Sequence, residues 1–177
     1  MATIQNIVST ANLQRRLDLG KLGEVMPDSE YNPKKFNGLI VKITNPKSTI
    51  LVFSTGKIVC TGTKTLEDND TVITKLIDKF SDAGYTCTKS DVSIENIVGS
   101  GTISSHIDLQ MFARTYWQNV IYTPELFPGL KFSNFEKHKG TAIVFNNGKI
   151  IVTGFKTEPE LQRFYKKTKL IAMLYAY

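Results

Sequence analysis

The chain has little of what enzymes, metal proteins and membrane proteins are built from. Its two cysteines, Cys60 and Cys87, have no neighbours at metal-ligand spacing, and its two histidines, His106 and His138, are isolated. This argues for reduced structural thiols and surface histidines, with no metal site. No Ser/His/Asp constellation, paired carboxylates or Gly-rich phosphate loop stands out, so no enzyme, cofactor or small-molecule substrate is expected. No apolar run approaches the ~18 residues of a membrane span. The opening Met1-Ala2-Thr3-Ile4-Gln5-Asn6 carries neither a secretory nor an organellar pattern, which points to an intracellular protein without a membrane partner.

What is present is a duplication. Gln5-Asn6-Ile7-Val8 returns as Glu95-Asn96-Ile97-Val98, Leu17-Asp18-Leu19 as Ile107-Asp108-Leu109, and Tyr31-Asn32-Pro33 as Tyr122-Thr123-Pro124. Phe36-Asn37-Gly38-Leu39 recurs as Phe127-Pro128-Gly129-Leu130, and Val52-Phe53-Ser54-Thr55-Gly56-Lys57 as Val144-Phe145-Asn146-Asn147-Gly148-Lys149. The offset grows only from 90 to 92, so residues 1–90 and 91–177 read as two copies of one module. Such a period is too long for a solenoid of ~20–50-residue units. Two fused copies instead suggest a pseudo-twofold body, suited to a ligand with approximate twofold symmetry such as duplex DNA. The net charge of +6 divides evenly, 12 Lys/Arg against 9 Asp/Glu in the first copy and 10 against 7 in the second. That spread is compatible with a polyanion partner.

Each copy reads as a strand, a helix, three strands on tight turns and a long helix. In the first, 4–10 is extended and 13–25 has a loose helical period through Leu13, Leu17, Leu22 and Val25. Three strands follow at 36–44, 49–54 and 57–63, and Asn147-Gly148 in the second copy is a strong hairpin signal. Asp18 and Asp108 read as helix-start or surface residues, not as acid–base groups. Val72, Ile73, Leu76, Ile77 and Phe80 share one face of a closing helix that Gly84 ends. Leu161, Phe164, Thr168 and Ile171 do so in the other, where Thr157-Glu158-Pro159-Glu160 reads as a well-formed capping box. With no Gly/Ser/Pro linker near 85–98, the copies should share one sheet.

The hairpin strands are apolar on both faces, where antiparallel sheets normally alternate. If Ile50, Val52, Ile58 and Cys60 face the helices, the other side is left open and apolar, the mark of a binding surface. Alternation places Asn6, Val8, Phe36, Leu51, Phe53, Val59 and Thr61 there. The second copy contributes Asn96, Val98, Phe127, Ile143, Phe145, Ile151 and Thr153.

At these residues the chain resembles the TATA-box-binding protein family of general transcription initiation factors. The motifs are Gln5-Asn6-Ile7-Val8-Ser9-Thr10, Glu30-Tyr31-Asn32-Pro33-Lys34-Lys35-Phe36, Cys60-Thr61-Gly62 and Pro124-Glu125-Leu126-Phe127-Pro128-Gly129-Leu130. The resemblance implies an α+β fold in which two pseudo-symmetric repeats form one curved ten-stranded antiparallel sheet, a saddle, with four helices on the convex face. It implies minor-groove binding and bending of A·T-rich, TATA-like promoter DNA, nucleating pre-initiation complex assembly. Members of this family kink DNA by ~80°, a family property taken over with the resemblance. Phe36 with Phe53 and Phe127 with Phe145 would wedge into base steps. Asn6 and Asn96 would donate to A N3 and T O2, Thr61 and Thr153 would add hydrogen bonds, and Val8, Leu51, Val59, Val98, Pro128, Ile143 and Ile151 would line the groove floor. Lys35, Lys42, Lys57, Lys64, Lys149 and Lys156 would meet phosphates. Glu125 and Leu126 would engage a transcription factor IIB-like factor, and a transcription factor IIA-like factor is a further implied partner. The implied location is the nucleus in a eukaryote, or the virion or viral factory for a viral member.

The chain departs from the family's pattern in places. Ser133 stands where an arginine is usual and where the first copy has Lys42, and Thr123 replaces a customary acid. An extra residue falls within Glu136-Lys137-His138-Lys139-Gly140. The helix at 66–83, usually basic, is acidic, which bears on its partner contacts. Two other readings compete. One is a divergent paralogue with relaxed sequence preference or changed partners. The other is a hydrophobic-ligand carrier or dimerisation module.

Overall fold

The computed structural model describes residues 1–133 and 139–177. The chain runs β1 (Thr3–Asn12), α1 (Leu19–Val25), β2 (Ser29–Tyr31), β3 (Leu39–Thr44), β4 (Lys47–Val52), β5 (Lys57–Thr63) and α2 (Leu66–Asp82). It then repeats as β6 (Ser93–Thr102), α3 (Leu109–Thr115), β7 (Val120–Ile121), β8 (Leu130–Ser133), β9 (Thr141–Val144), β10 (Lys149–Phe155) and α4 (Glu158–Met173). The described residues thus give the ten strands and four helices of the expected class. Contacts divide them into two compact units, one of residues 6–95 and one of residues 96–177 together with 1–5.

In the first unit the strands lie in the order β2-β3-β4-β5-β1, and in the other β6-β10-β9-β8-β7, with antiparallel neighbours. Period 2 decides the faces. Leu39, Val41, Ile50, Val52, Ile58 and Cys60 are buried among Val72, Ile73, Leu76 and Phe80 of α2. Their strand neighbours Ile40, Leu51, Val59 and Thr61 stay partly exposed. Each fully buried large apolar side chain contributes roughly 1.5–3 kcal/mol, so this layer fixes which sheet face the helices cover.

Sequence periodicity misplaced several boundaries, each for a physical reason. Leu13 and Leu17 are buried, but they belong to a loop and not to a helix. Leu13 N–H donates to the Gly56 carbonyl at 2.8 Å and Leu17 N–H to that of Ser54 at 3.0 Å, pinning the loop to the β4–β5 hairpin tip. The helix starts only at Leu19, after Asp18 accepts from the Lys21 N–H at 3.1 Å; Asp108 caps α3 in the same way through Met111. The short β2 and β7 are too brief to show a period, so the residue pattern alone gave four strands per copy instead of five. The hairpin at Asn147-Gly148 is a three-residue loop. Gly148 N–H donates to the Phe145 carbonyl at 3.0 Å, Phe145 N–H to that of Lys149 at 2.9 Å, and only Gly148, at φ 80°, is left-handed. This is a turn closed by a glycine bulge and not the two-residue turn that Asn-Gly favours.

Helix ends differ in the same instructive way. Thr65 caps α2 by accepting from Asp68 N–H, and Gly84 closes it with Gly84 N–H on the Ser81 carbonyl and Tyr85 N–H on the Phe80 carbonyl, a Schellman motif. Thr157 does not form the expected box: its hydroxyl donates to the Glu160 carboxylate at 2.7 Å. On α4 the buried face includes Tyr165 and Ala172, whereas Ile171 is only partly covered. Of the sequence-stretch 136–140, only Lys139 and Gly140 lie among the described residues, and His138 lies outside them.

Candidate groove-binding face

The two units carry the same constellation. Asn6 on β1 points to the uncovered face, where its Oδ1 accepts from Gly62 N–H at 2.7 Å and its amide lies 3.1 Å from the Thr61 hydroxyl. Asn96 repeats this with Gly154 N–H at 2.8 Å and Thr153 at 3.0 Å. The carbonyl of each amide therefore accepts from backbone while its NH₂ donates to the neighbouring threonine hydroxyl, which uses one of the two N–H groups and leaves the second as a donor. The glycines make this possible. The β1–β5 and β6–β10 ladders each slip by a bulge here, with Gly62 at φ 106° and Gly154 at φ 95°, conformations that L side chains rarely adopt. These two bulges were missed as site elements, although a glycine inside a strand was the available signal.

The ends of each face are aromatic. Phe36 and Phe53 stand edge to face with centroids 5.9 Å apart and planes at 66°, and Phe127 and Phe145 reproduce both values. Phe53 and Phe145 sit at the start of the hairpin loops. Phe36 and Phe127 are held by turns, their N–H groups donating to Asn32 (2.9 Å) and Thr123 (3.0 Å) carbonyls. Gly38 and Gly129 give the rings room, since a Cβ would lie 2.6 Å from Phe36 and 2.7 Å from Phe127. Phe127 is 39% exposed, and Lys131 lies over its ring at 5.9 Å.

Between amide and rings runs an uncharged floor. Leu51 pairs with Val59 and Ile143 with Ile151, while Val8 pairs with Thr61 across the β1–β5 ladder. Val8, Val98, Leu51, Val59, Ile143 and Ile151 are all half-buried, and Pro128 is exposed beside Phe127.

The cations rim this floor. Lys35, Lys42, Lys57, Lys64, Lys149 and Lys156 are exposed. Lys42 and Lys64 line a groove of about 810 Å³ with Thr49 and Thr61, and the same groove contains Lys47, which is not among the cations expected from sequence. Register places Lys42 opposite Thr49 and Ser133 opposite Thr141, so the two are structural counterparts. Glu125 and Leu126 project from the turn before Phe127, Leu126 with 85% exposure. Cys60 belongs to the core, where burial pushes its thiol up to about 11.

Fold and face together define a two-repeat α+β protein that offers the same aromatic-ended sheet surface with an aliphatic floor twice. The chain matches the family described as transcription factor TFIID, or TATA-binding protein, over residues 1–83 and 91–174. It is 39% identical to the TATA-box-binding protein of Pyrobaculum calidifontis, over 97% of this chain and 88% of that one. It is 40% identical to TATA-box-binding protein 2 of Entamoeba histolytica, over 92% and 76%. The solved Methanococcus jannaschii TBP superposes with a TM-score of 0.87 at 29% identity, over 98% of each chain. This chain belongs to the TATA-box-binding protein family.

Proposed function

We propose that the chain is a general transcription initiation factor that binds the minor groove of A·T-rich promoter DNA and bends it. One observation carries the reading: two copies of a strand face with an aliphatic floor, each with an Asn amide held beside a Thr hydroxyl and a pair of Phe rings in the same geometry. Minor-groove A·T pairs show only acceptors, A N3 and T O2, which suits the NH₂ groups of Asn6 and Asn96 and the hydroxyls of Thr61 and Thr153. A guanine would add an N2 amine against the aliphatic floor. Wedging Phe36, Phe53, Phe127 and Phe145 into base steps costs a few kcal/mol per step, and each ring returns roughly 1.5–3 kcal/mol on burial. Flexible TA steps are therefore favoured.

The surrounding residues take roles by position. Lys35, Lys42, Lys57, Lys64, Lys149 and Lys156 meet phosphates and supply salt dependence. Glu125 and Leu126 receive a transcription factor IIB-like factor, and a transcription factor IIA-like factor is a second candidate partner. In a eukaryotic host the protein acts in the nucleus. The carrier reading is not favoured by family membership.

A gel-shift series on an A·T-rich duplex, with bending read by circular permutation, tests this. Wild-type binding should weaken with salt and bend the duplex. Phe53→Ala and Phe145→Ala should each reduce the bend and lower affinity about tenfold to a hundredfold. Bending unchanged in both variants overturns the wedge role. In the same assay Glu125→Arg should remove the supershift by the B-type factor while sparing the DNA complex.

A further inference from the structure

The second unit carries a groove on the helix side of its sheet, away from the face assigned to DNA. It has a volume of about 650 Å³ and lies along α4. Its apolar part is Met1, Leu170 and Met173, the last two 58% and 50% exposed, and its cationic part is Arg163, Lys166 and Lys169. No carboxylate lines it, and among the described residues none of these three cations is paired with one. The ring of Tyr165, buried against β6, closes its base.

The groove is built, not incidental. Gln162 clasps the start of the chain with two hydrogen bonds, accepting from Ala2 N–H at 2.9 Å and donating to the Ala2 carbonyl at 2.8 Å, which sets Met1 beside α4. Residues 162, 166, 169/170 and 173 recur at helical spacing, so one stripe of α4 presents them together. The corresponding stripe of the other unit has the opposite charge. Gln162 is matched at offset 92 by Asp70, which is bonded to Lys89 of the segment leading out of that unit. There, a cation supplied by the chain meets an acidic helix; here, the helix itself supplies the cations.

We propose that this groove docks an acidic amphipathic peptide segment of a partner protein. Its apolar side chains would settle on Met1, Leu170 and Met173 and its carboxylates would face Arg163, Lys166 and Lys169. Helix-in-groove recognition needs this combination of an apolar stripe and a charged rim. Electrostatic complementarity selects the acidic partner and excludes a basic one.

The test titrates the full ¹⁵N-labelled chain with a synthetic peptide of about 16 residues, Leu at i, i+3, i+4 and i+7 and Glu elsewhere. Amide shifts confined to residue 2 and residues 162–173 are expected. The double variant Lys166→Glu/Lys169→Glu should lose about tenfold or more in affinity, as should Leu170→Ser and, in wild type, a peptide with Lys in place of Glu. Fold integrity is read from the same spectra, and the charge-swapped peptide needs no variant at all. The inference is overturned by absence of shifts up to millimolar peptide, by shifts on the sheet face instead, or by equal binding of the two peptides. It is also overturned if a DNA duplex alone produces the same α4 shifts, which would make the stripe a phosphate contact.

Discussion

The two repeats keep their outer face almost identical and solve their interiors differently. In the first, a buried polar bridge joins sheet to helix: Ser9 donates to Asn69 Oδ1 at 2.9 Å, and Asn69 Nδ2 donates to Thr63 at 3.3 Å. At the equivalent positions of the second stand Gly99, Leu161 and Phe155. The exchange is complementary in volume. A Cβ on Gly99 would lie 2.8 Å from Leu161, and Gly140, counterpart of Ser48, would meet the Phe155 ring at 2.0 Å. Likewise Gly101 makes way for the Tyr165 hydroxyl at 2.1 Å, where the first repeat pairs Ala11 with Ile73. Glycines on the strands thus trade with large side chains on the helix and β10, so both cores close beneath the same exterior. The outer face varies in side chains such as Lys42 and Ser133 but keeps its geometry: the Phe–Phe and Asn–Thr–Gly distances agree to within 0.1 Å. Interiors need only fill space, whereas a surface proposed to meet a two-sided ligand would have to match it twice.

Moving a first-repeat residue into the second repeat should break this complementarity most severely. Leu161→Asn buries an amide among Gly99, Phe155 and Ala2, with none of the hydroxyls that satisfy Asn69, and removes a fully buried Leu. A loss of about 3–5 kcal/mol is expected, with Tm lowered by roughly 10 °C. Adding Gly99→Ser and Phe155→Thr should recover part of it. Denaturation showing a loss of under about 1 kcal/mol would sink the complementarity argument.

A smaller effect separates the repeats at alkaline pH. Cys60 occupies the core position that Val152 fills in the second repeat. Burial raises its thiol from 9.0 to about 11, so the folded state keeps the proton after the unfolded chain has lost it. The sign is then fixed: this raised value gives no penalty below pH 9, and stability falls as pH climbs toward 11, by about 2–3 kcal/mol in all. Cys60→Val should flatten that alkaline limb while leaving stability at neutral pH within about 1.5 kcal/mol. An unchanged pH profile would assign the limb to other groups.

The smallest expected effect sharpens the outer comparison. Ser133 stands where Lys42 rims the first face, so Ser133→Lys should restore a phosphate contact. Affinity for an A·T-rich duplex should rise a few-fold at low salt, and the salt slope should steepen by about 0.9. An unaltered slope would mean that this edge of the second face lies off the backbone.

Much of this was legible because it is written locally. Duplicated motifs, the period-2 alternation around Ile50-Leu51-Val52-Phe53 and the helix stop at Gly84 each depend on neighbours within a few residues. What misled the reading was equally physical. Leu13 and Leu17 mimic a helical stripe because both are buried, yet their backbone is spoken for by the hairpin tip. Thr157 carries a capping sequence but gives its hydroxyl to Glu160. Lys47 is absent from the cations expected from sequence, and only the sheet brings it beside Lys42 and Lys64.

By itself the sequence determined the duplication, the class of fold and which side of each strand would face the helices, because side-chain direction along a strand follows from the pleat alone. Only the tertiary structure decided what the glycines were for. Gly62 and Gly154 bend the ladder so that their N–H groups hold the Asn6 and Asn96 carbonyls, while Gly99, Gly101 and Gly140 clear space for rings and branches that arrive from elsewhere in the chain. The α4 groove, too, exists only because Gln162 catches Ala2 from 160 residues away. Contacts at that separation are set by how whole elements pack, and no local period encodes them.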